Sequence, residues 1–121
     1  MGIGRPVALT LNALMHFITA PYDIVRRLLS PLPPGSALAM NHCTPDFDPG
    51  TWNRIAESYT RSGTPVDFRS RADVTRFFDG LDPIDPGITC CHRWRSAGLD
   101  ADGKEIPDAQ ISLLAGVGIK R

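Results

Sequence analysis

The sequence lacks a net charge, because its 13 Lys and Arg residues are balanced by 13 Asp and Glu residues. Without an excess of positive charge, a protein has no long-range electrostatic attraction to nucleic acid or to anionic membranes. Internal repeats and low-complexity tracts are also missing. With 121 residues, 42% of them hydrophobic, the chain is long enough for one domain with a modest core. We therefore expect a globular protein that binds neither nucleic acids nor membranes.

A long hydrophobic run is missing as well. The most apolar stretch near the start, Pro6–Ile18, is shorter than the roughly 20 residues that span a bilayer, and Asn12 and His16 interrupt it. A secretory leader is disfavoured, because Pro21 directly follows Ala20, the one suitable cleavage residue. The sequence thus predicts a cytoplasmic protein.

Cysteine is scarce, with one residue at position 43 and an adjacent pair at positions 90 and 91. Neighbouring residues of a strand point to opposite faces, so the adjacent pair is poorly placed for a disulfide, and the odd count favours reduced thiols. Zinc sites usually separate their cysteines by two to four residues, which neither His42-Cys43 nor Cys90-Cys91-His92 does. We therefore expect no metal site.

The first forty residues have the pattern of a strand, a helix and a second strand. Val7–Leu14 is nearly all apolar, as in a strand buried within a parallel sheet. Tyr22–Leu29 places its apolar residues on one helical stripe, and the prolines at positions 31, 33 and 34 end that helix. Ala37–His42 is the second strand. Because a helix links the two strands, we expect them to be parallel.

Two further helices follow. Asp48 and Pro49 have the residue types of a helix cap and first turn, and this helix should run to about Arg61. Ser70 caps the second helix, which should close at Gly80. The apolar residues expected to face the core are Trp52, Ile55, Ala56 and Tyr59 in the first helix and Val74, Phe77 and Phe78 in the second.

The end of the chain predicts an antiparallel hairpin. Ile88–Trp94 and Ile111–Ile119 have strand composition, and the Gly- and Asp-rich segment Ser96–Ala109 between them predicts an exposed loop. Together these elements predict an α/β protein with a partial Rossmann-like sheet. Two parallel strands should be joined by a C-terminal antiparallel hairpin and flanked by helices.

Several segments, in this order, resemble one family. Leu11–Ile18 (LNALMHFI) is similar to the end of the fourth strand in class I methyltransferases that use S-adenosylmethionine (SAM). Arg26–Ser36 is similar to the helix, turn and strand entry that follow there. Ser70–Leu81 and Asp85–Arg95 resemble the closing part of a bacterial subgroup, the S-adenosyl methyltransferases first catalogued as a domain of unknown function. The resemblance extends from about Arg5 to Arg121.

The resemblance implies the carboxyl-terminal half of such an enzyme. In the family, SAM lies over the first three strands, between a glycine-rich turn and an acidic residue, and Gly2-Ile3-Gly4 has no preceding strand that would make it this turn. We therefore expect residues 1–121 to form a single domain without the amino-terminal cofactor-binding half. SAM is the cofactor that the family implies, and this chain alone should bind it very weakly or not at all. By the family's strand order, the last strand should lie between Ala37–His42 and Ile88–Trp94.

Five residues at the ends of the parallel strands are candidate site residues. The resemblance implies that Asn12, Ala13 and Leu14 contact the methionine end of SAM and the substrate; alternatively, they only complete a buried strand. His16 and His42 are candidate general bases, because imidazole titrates near neutral pH and ligands of α/β sheets bind at the carboxyl ends of strands. Alternatively, each histidine is a polar cap at the end of its strand.

A group of arginines is a weaker candidate for a phosphate-binding patch. Such side chains are more often solvated or paired with nearby Asp, and we expect this here. The group consists of Arg69, Arg71, Arg76, Arg93 and Arg95.

The function that the resemblance implies is transfer of a methyl group from SAM to an unidentified small-molecule nucleophile, with most of the rate supplied by orientation of the reactants. The alternative is a non-catalytic truncated remnant, or an interaction module that cannot bind SAM alone. With the first half of the sheet absent, Val7–Leu14 becomes an edge strand, and it contains neither Lys nor Glu. Such an edge pairs readily with another copy, so we expect self-association.

Overall fold

The computed structural model describes residues 4–121, which form one five-stranded sheet with helices. The strands are β1 (Ala8–Asn12), β2 (Ala37–Cys43), β3 (Leu81–Pro83), β4 (Thr89–Cys90) and β5 (Leu113–Lys120). The α-helices are α1 (Pro21–Leu29), α2 (Pro49–Arg61), α3 (Arg71–Thr75) and α4 (Asp108–Ile111). Short 3-10 helices occupy Met15–Phe17, Arg76–Phe78 and Cys91–Arg93. None of the helices within residues 4–121 is long and apolar enough to cross a membrane.

The strand–helix–strand unit is confirmed. β1 and β2 are parallel, with Leu9 opposite Leu38 and Leu11 opposite Met40, and α1 connects them. β1 ends at Asn12 rather than at Leu14, because Ala13 takes a left-handed backbone conformation (φ 50°) that turns the chain out of the sheet.

The last strand lies where the family's strand order predicts. β5 pairs antiparallel with β2 on one side and with both β3 and β4 on the other. The α/β fold class, with two parallel strands and antiparallel strands beside them, is thereby confirmed.

The predicted strand Ile88–Trp94 is wrong in extent. Its pairing is confined to Thr89–Cys90, and Cys91–Arg93 is a 3-10 helix that turns the chain back. The Trp94 indole then donates a hydrogen bond to the Gly87 carbonyl (3.2 Å), which fixes this reversal. The strand β3 was not predicted, because a three-residue strand that contains proline has no alternating pattern of apolar residues.

The caps of the middle helices are confirmed, but one of the two predicted core faces is wrong. The Asp48 side chain accepts a hydrogen bond from the Thr51 amide at the start of α2, and Ser70 accepts one from the Asp73 amide at the start of α3.

No residue of α2 is buried, and Tyr59 is 39% exposed. The cause is tertiary: the aromatic residues of α2 contact a peripheral layer, Phe17 and Phe68, instead of the sheet. The core residues predicted for the second helix are confirmed: Val74, Phe77 and Phe78 are buried.

Within residues 4–121, α1 and α3 pack on one face of the sheet, the covered face, while Cys91 and Trp94 approach a part of the other face. Residues that point to the covered face, such as Leu38, Met40 and Leu114, are at most 3% exposed and form the core with α1, α3 and the 3-10 helix after α3. Their neighbours along the strands, such as Ala39 and Val117, are half-buried on the opposite face. We call this second surface the open face; Ala8, Thr10, Ala37, Ala39, Asn41, Ala115, Val117 and Ile119 belong to it.

We predict that Gly116→Ala destabilises the protein by about 1–3 kcal/mol, because overpacking forces neighbouring groups to move. A Cβ at Gly116 would collide with Ile88 Cδ1 and would lie 3.4 Å from Phe78 Cζ. Gly50→Ala is the matched control, since its Cβ would meet only Arg54, at 3.8 Å, within α2. Denaturant unfolding measures both free energies. Equal stability of the two variants would contradict the tight packing over β5.

We also expect self-association through β1, the edge strand, together with the open face. A Lys at position 9 or 11 is unsuitable for testing this, because both leucines pack into the core. Thr10 is exposed on the open face, so Thr10→Lys should shift the chain toward monomer without loss of core packing. Thr64→Lys, an exposed site after α2, carries the same charge change as a control. Sedimentation velocity at tens of micromolar measures the association state of each variant. An unmodified chain that sediments as a monomer would contradict the prediction.

Candidate functional site

The carboxyl ends of β1 and β2 lie side by side because the strands are parallel. The Asn41 side chain, on β2, ties the two ends together: its Nδ2 donates to Asn12 Oδ1 (3.1 Å), and its Oδ1 accepts from the Ala13 amide (2.6 Å). Asn12, Ala13 and Leu14 are exposed, and Leu14 is 46% exposed. The predicted cofactor-contacting residues therefore do not finish a buried strand. They form an accessible turn at the rim of the sheet.

His42 is fully buried at the end of β2, and both of its ring nitrogens are hydrogen-bonded. Nδ1 lies 2.8 Å from the Cys43 carbonyl and Nε2 lies 2.9 Å from Arg69 Nη1. Since the carbonyl can only accept and the guanidinium can only donate, these bonds assign a neutral ring with its proton on Nδ1. Burial is the main cause that lowers the pKa of His42 to about 4, and the Arg69 charge adds to this effect.

His16 lies next to His42, with the two ring centroids 5.3 Å apart in an edge-on arrangement. It is 5% exposed and sits in the 3-10 helix that follows β1. Its Nδ1 is buried and has no hydrogen-bond partner. Burial, and secondarily the charge of Arg69, lower the pKa of His16 below its usual value. The structure thus brings the two predicted histidines together, but with different surroundings.

Arg69 is the residue that links them. Of the two expectations for it, solvation is wrong, whereas pairing with a nearby Asp is confirmed by Asp67, whose Oδ2 lies 3.7 Å from Arg69 Nη2. The Arg69 side chain is 9% exposed. Nη1 donates to the Met15 carbonyl (3.0 Å) and to His42 Nε2. These partners lie 54 and 27 residues away in the sequence. No local pattern around Arg69 could have indicated its burial, because a charged residue before a helix cap is normally solvated.

A cavity of about 210 Å³ opens beside these residues. Its polar lining comes from His16, Thr19, Thr60, Asp67 and Arg69, and its apolar lining includes Phe17. The cavity lies on the carboxyl side of β1, the side on which open α/β sheets bind ligands. The cavity can hold a small molecule next to His16 and Arg69, whereas Asn12 borders a separate cavity with Asn41 and Trp94.

A second polar cluster lies far along the chain, where Cys90, His92 and Asp108 bring potential metal-ligand atoms within 4.8 Å of one another. Asp108 is already bound: its Oδ1 accepts a 2.7 Å hydrogen bond from Arg93 Nε. His92 Nε2 lies 2.8 Å from the Ile106 carbonyl. A divalent cation would compete with the guanidinium for Oδ1 and would be repelled by its positive charge, so this arrangement disfavours a metal. The expectation that the chain holds no metal stays a prediction.

The three cysteines are free thiols, as expected. Burial raises the pKa of Cys43 and of Cys90, which makes both poor nucleophiles at neutral pH. The interpretation of Gly2-Ile3-Gly4 concerns a segment of which Gly2 and Ile3 lie outside the described residues.

Comparison with solved structures identifies relatives. A DUF574 family protein from Streptomyces avermitilis MA-4680 is 38% identical, with a TM-score of 0.91, and the match covers 100% of this chain and 47% of that one. A protein from Thermobifida fusca YX, provisionally described as a methyltransferase, is 23% identical with a TM-score of 0.78, and here 46% of the relative is covered. No curated protein matches the chain significantly.

The chain therefore spans about half the length of these solved relatives. The sequence profile of the S-adenosyl methyltransferase family matches residues 1–121, which is the whole sequence. The exposed turn, the buried histidine pair and the adjoining cavity are thus features of a methyltransferase fold. The chain belongs to the S-adenosyl methyltransferase family.

Proposed function

We propose that the chain forms the acceptor-binding side of a SAM-dependent methyltransferase that acts on a small-molecule nucleophile. The observation that carries the proposal is the family match over all 121 residues. The geometry supports it, because an accessible turn, Asn12–Leu14, is followed by His16, a buried histidine that lines a cavity. The free thiols are consistent with a cytoplasmic location, which we include in the proposal.

The residues at the rim fit one side of the cofactor. Leu14 offers an exposed apolar surface, and the amides of Asn12 and Asn41 offer polar groups next to it. When bound, SAM supplies an electrophilic methyl carbon on its sulfonium. Neither parallel strand is followed by a glycine-rich turn within residues 4–121, so this chain would supply only a part of the contacts.

His16 is the better of the two candidate bases. Its lowered pKa keeps the ring neutral at pH 7, and the residue lines the cavity. A neutral imidazole at the wall of the cavity can accept the proton that the acceptor loses as its heteroatom bonds to the methyl carbon. We propose a positioning role for His42, since its Nε2 lone pair accepts from Arg69 and would be free only if Arg69 moved.

The alternative function is a non-catalytic remnant or interaction module. It is favoured by one observation, namely that the solved relatives are about twice as long as the region matched by this chain. The two functions differ in a measurable way, because a remnant would not restore activity when joined to the rest of a relative.

We predict that the chain alone binds SAM with a dissociation constant weaker than roughly 10 μM, about −7 kcal/mol. A chimera, in which this chain replaces the matched part of the Streptomyces relative, should bind SAM more tightly and transfer its labelled methyl group to a small-molecule extract. Calorimetry and radiolabel transfer measure the two effects. Tight binding by the chain alone would show that its cofactor contacts are more complete than proposed.

In the active chimera, His16→Gln should lower kcat by about 100-fold, since general base catalysis typically contributes this much, with little change in SAM affinity. Asp102→Asn, at an exposed loop position, is the control and should leave kcat unchanged. A fold-competent chimera that binds SAM but transfers no methyl group would favour the remnant.

The pKa of His42 also predicts how stability depends on pH. Because the folded-state pKa of about 4 lies below the unfolded value of 6.5, the neutral ring stabilises the fold above pH 6.5. This contribution, about 3 kcal/mol, is lost as the pH falls from 6.5 to 4. The His42→Gln variant cannot titrate there, so its stability deficit relative to the unmodified chain should shrink over this range. If the unfolding free energies of the two proteins change in parallel with pH over this range, the assignment of a neutral buried ring is contradicted.

A further inference from the structure

We propose that the cavity beside Arg69 binds a carboxylate, and that the methyl acceptor is a small carboxylic acid with an apolar body. The second part rests on the proposed function, whereas carboxylate binding does not. Two features carry both parts: the positive charge of the buried Arg69 guanidinium, and the cavity that Arg69 lines.

Arg69 carries a buried positive charge that lacks a closely bound counter-ion. Its side chain is 9% exposed, and its Nη1 hydrogen bonds go to neutral acceptors: the carbonyls of Met15 and Asp67 and the ring of His42. Among residues 4–121, the nearest carboxylate oxygen is Asp67 Oδ2, 3.7 Å from Nη2, and the Asp67 side chain is 83% exposed. A buried charge is costly unless a hydrogen-bonded partner of opposite sign compensates it, and a distant, hydrated carboxylate does so poorly.

The other groups around Arg69 do not supply the missing charge. Tyr22 and Phe77 place their rings about 6 Å from the guanidinium carbon, which gives a weak cation–π attraction. The Tyr22 hydroxyl donates to the Asp73 carbonyl (2.7 Å). His16 and His42 are held neutral by their lowered pKa values. Among residues 4–121, the Asp67 carboxylate is thus the anion at this cavity that opposes the charge of Arg69, and a bound carboxylate would compete with it.

The cavity has the dimensions and lining of a site for a small acid. It offers about 210 Å³ next to Arg69, with hydroxyl groups from Thr19 and Thr60 and apolar walls from Phe17 and Val66. A carboxylate can accept two parallel hydrogen bonds from a guanidinium, while the body of the ligand packs on the apolar walls. His16, a residue that is 5% exposed, lines the same cavity, while its unpartnered Nδ1 is buried.

The test is a titration of the ¹⁵N-labelled 121-residue chain with benzoate, with neutral benzamide as the matched probe. Benzoate should shift the signals of Arg69, His16 and Phe17, with a dissociation constant at least tenfold lower than that of benzamide. Asp67→Asn removes the competing carboxylate from an exposed position and should tighten benzoate binding about threefold, the scale of one exposed ion pair. Asp102→Asn changes the net charge equally and should leave the affinity unchanged.

Equal shifts with benzoate and benzamide, or no shift with benzoate, would overturn the carboxylate site. An equal response of Asp67→Asn and Asp102→Asn would overturn the role of Arg69, without requiring an Arg69 variant that fails to fold. L-Methionine, titrated in parallel, separates the two sources of the carboxylate: preference for methionine over benzoate would overturn the acceptor assignment in favour of the cofactor's amino-acid end. Loss of methyl transfer in the chimera with benzoate binding retained would refute the proposed function alone.

Discussion

The pairing of β5 with β2 is the constraint on which the rest of the structure depends. β5 comes from the end of the chain, yet it pairs with β2 over seven residues and carries β3 and β4 on its other side. Its last residues also stabilise the first half of the chain, because Lys120 Nζ donates to three carbonyls at the end of α1 and just beyond it (2.6–3.0 Å). These bonds satisfy acceptors that a helix terminus leaves free. Without β5, β2 would be an edge strand paired with β1 alone.

The site is a consequence of this arrangement. Because β2 is held between β1 and β5, the side chain at its carboxyl end, His42, points into a fully enclosed position. A polar ring can be buried there only if both nitrogens find partners, and Arg69 and the Cys43 carbonyl supply them. The same guanidinium is thereby brought beside His16 and the cavity. The hydrogen bond that His42 requires at Nε2 thus places the positive charge of Arg69 in the site.

The packing of the sheet differs between its two faces. The covered face alone contains the whole described core, with α1 and α3 on it, so this layer is complete within the chain. The open face consists mainly of Ala and Val, small enough to accept a second layer and too apolar to be a fully hydrated surface. The relatives, about twice as long, have additional chain available for such a layer.

Local sequence was sufficient for the elements with strong local signals. The apolar run of β1, the helix α1, the caps at Asp48 and Ser70 and the position of the last strand could all be predicted, the last of these from family resemblance. Two apolar residues of α1, Ile24 and Leu28, are nevertheless exposed. Short-range signals failed where long-range packing decides, as in the exposure of α2 and the shortening of the strand at Thr89–Cys90.

The candidate site also has features that the sequence predicts and features that only long-range packing decides. The sequence by itself determined that two histidines and the turn at Asn12–Leu14 would lie at one rim, because parallel strands end on the same side of a sheet. Only the tertiary structure decided that His42 is enclosed while His16 borders a cavity, and that Arg69 is buried between them. Those contacts join residues 27 and 54 positions apart, and no periodicity or spacing within a single element encodes them.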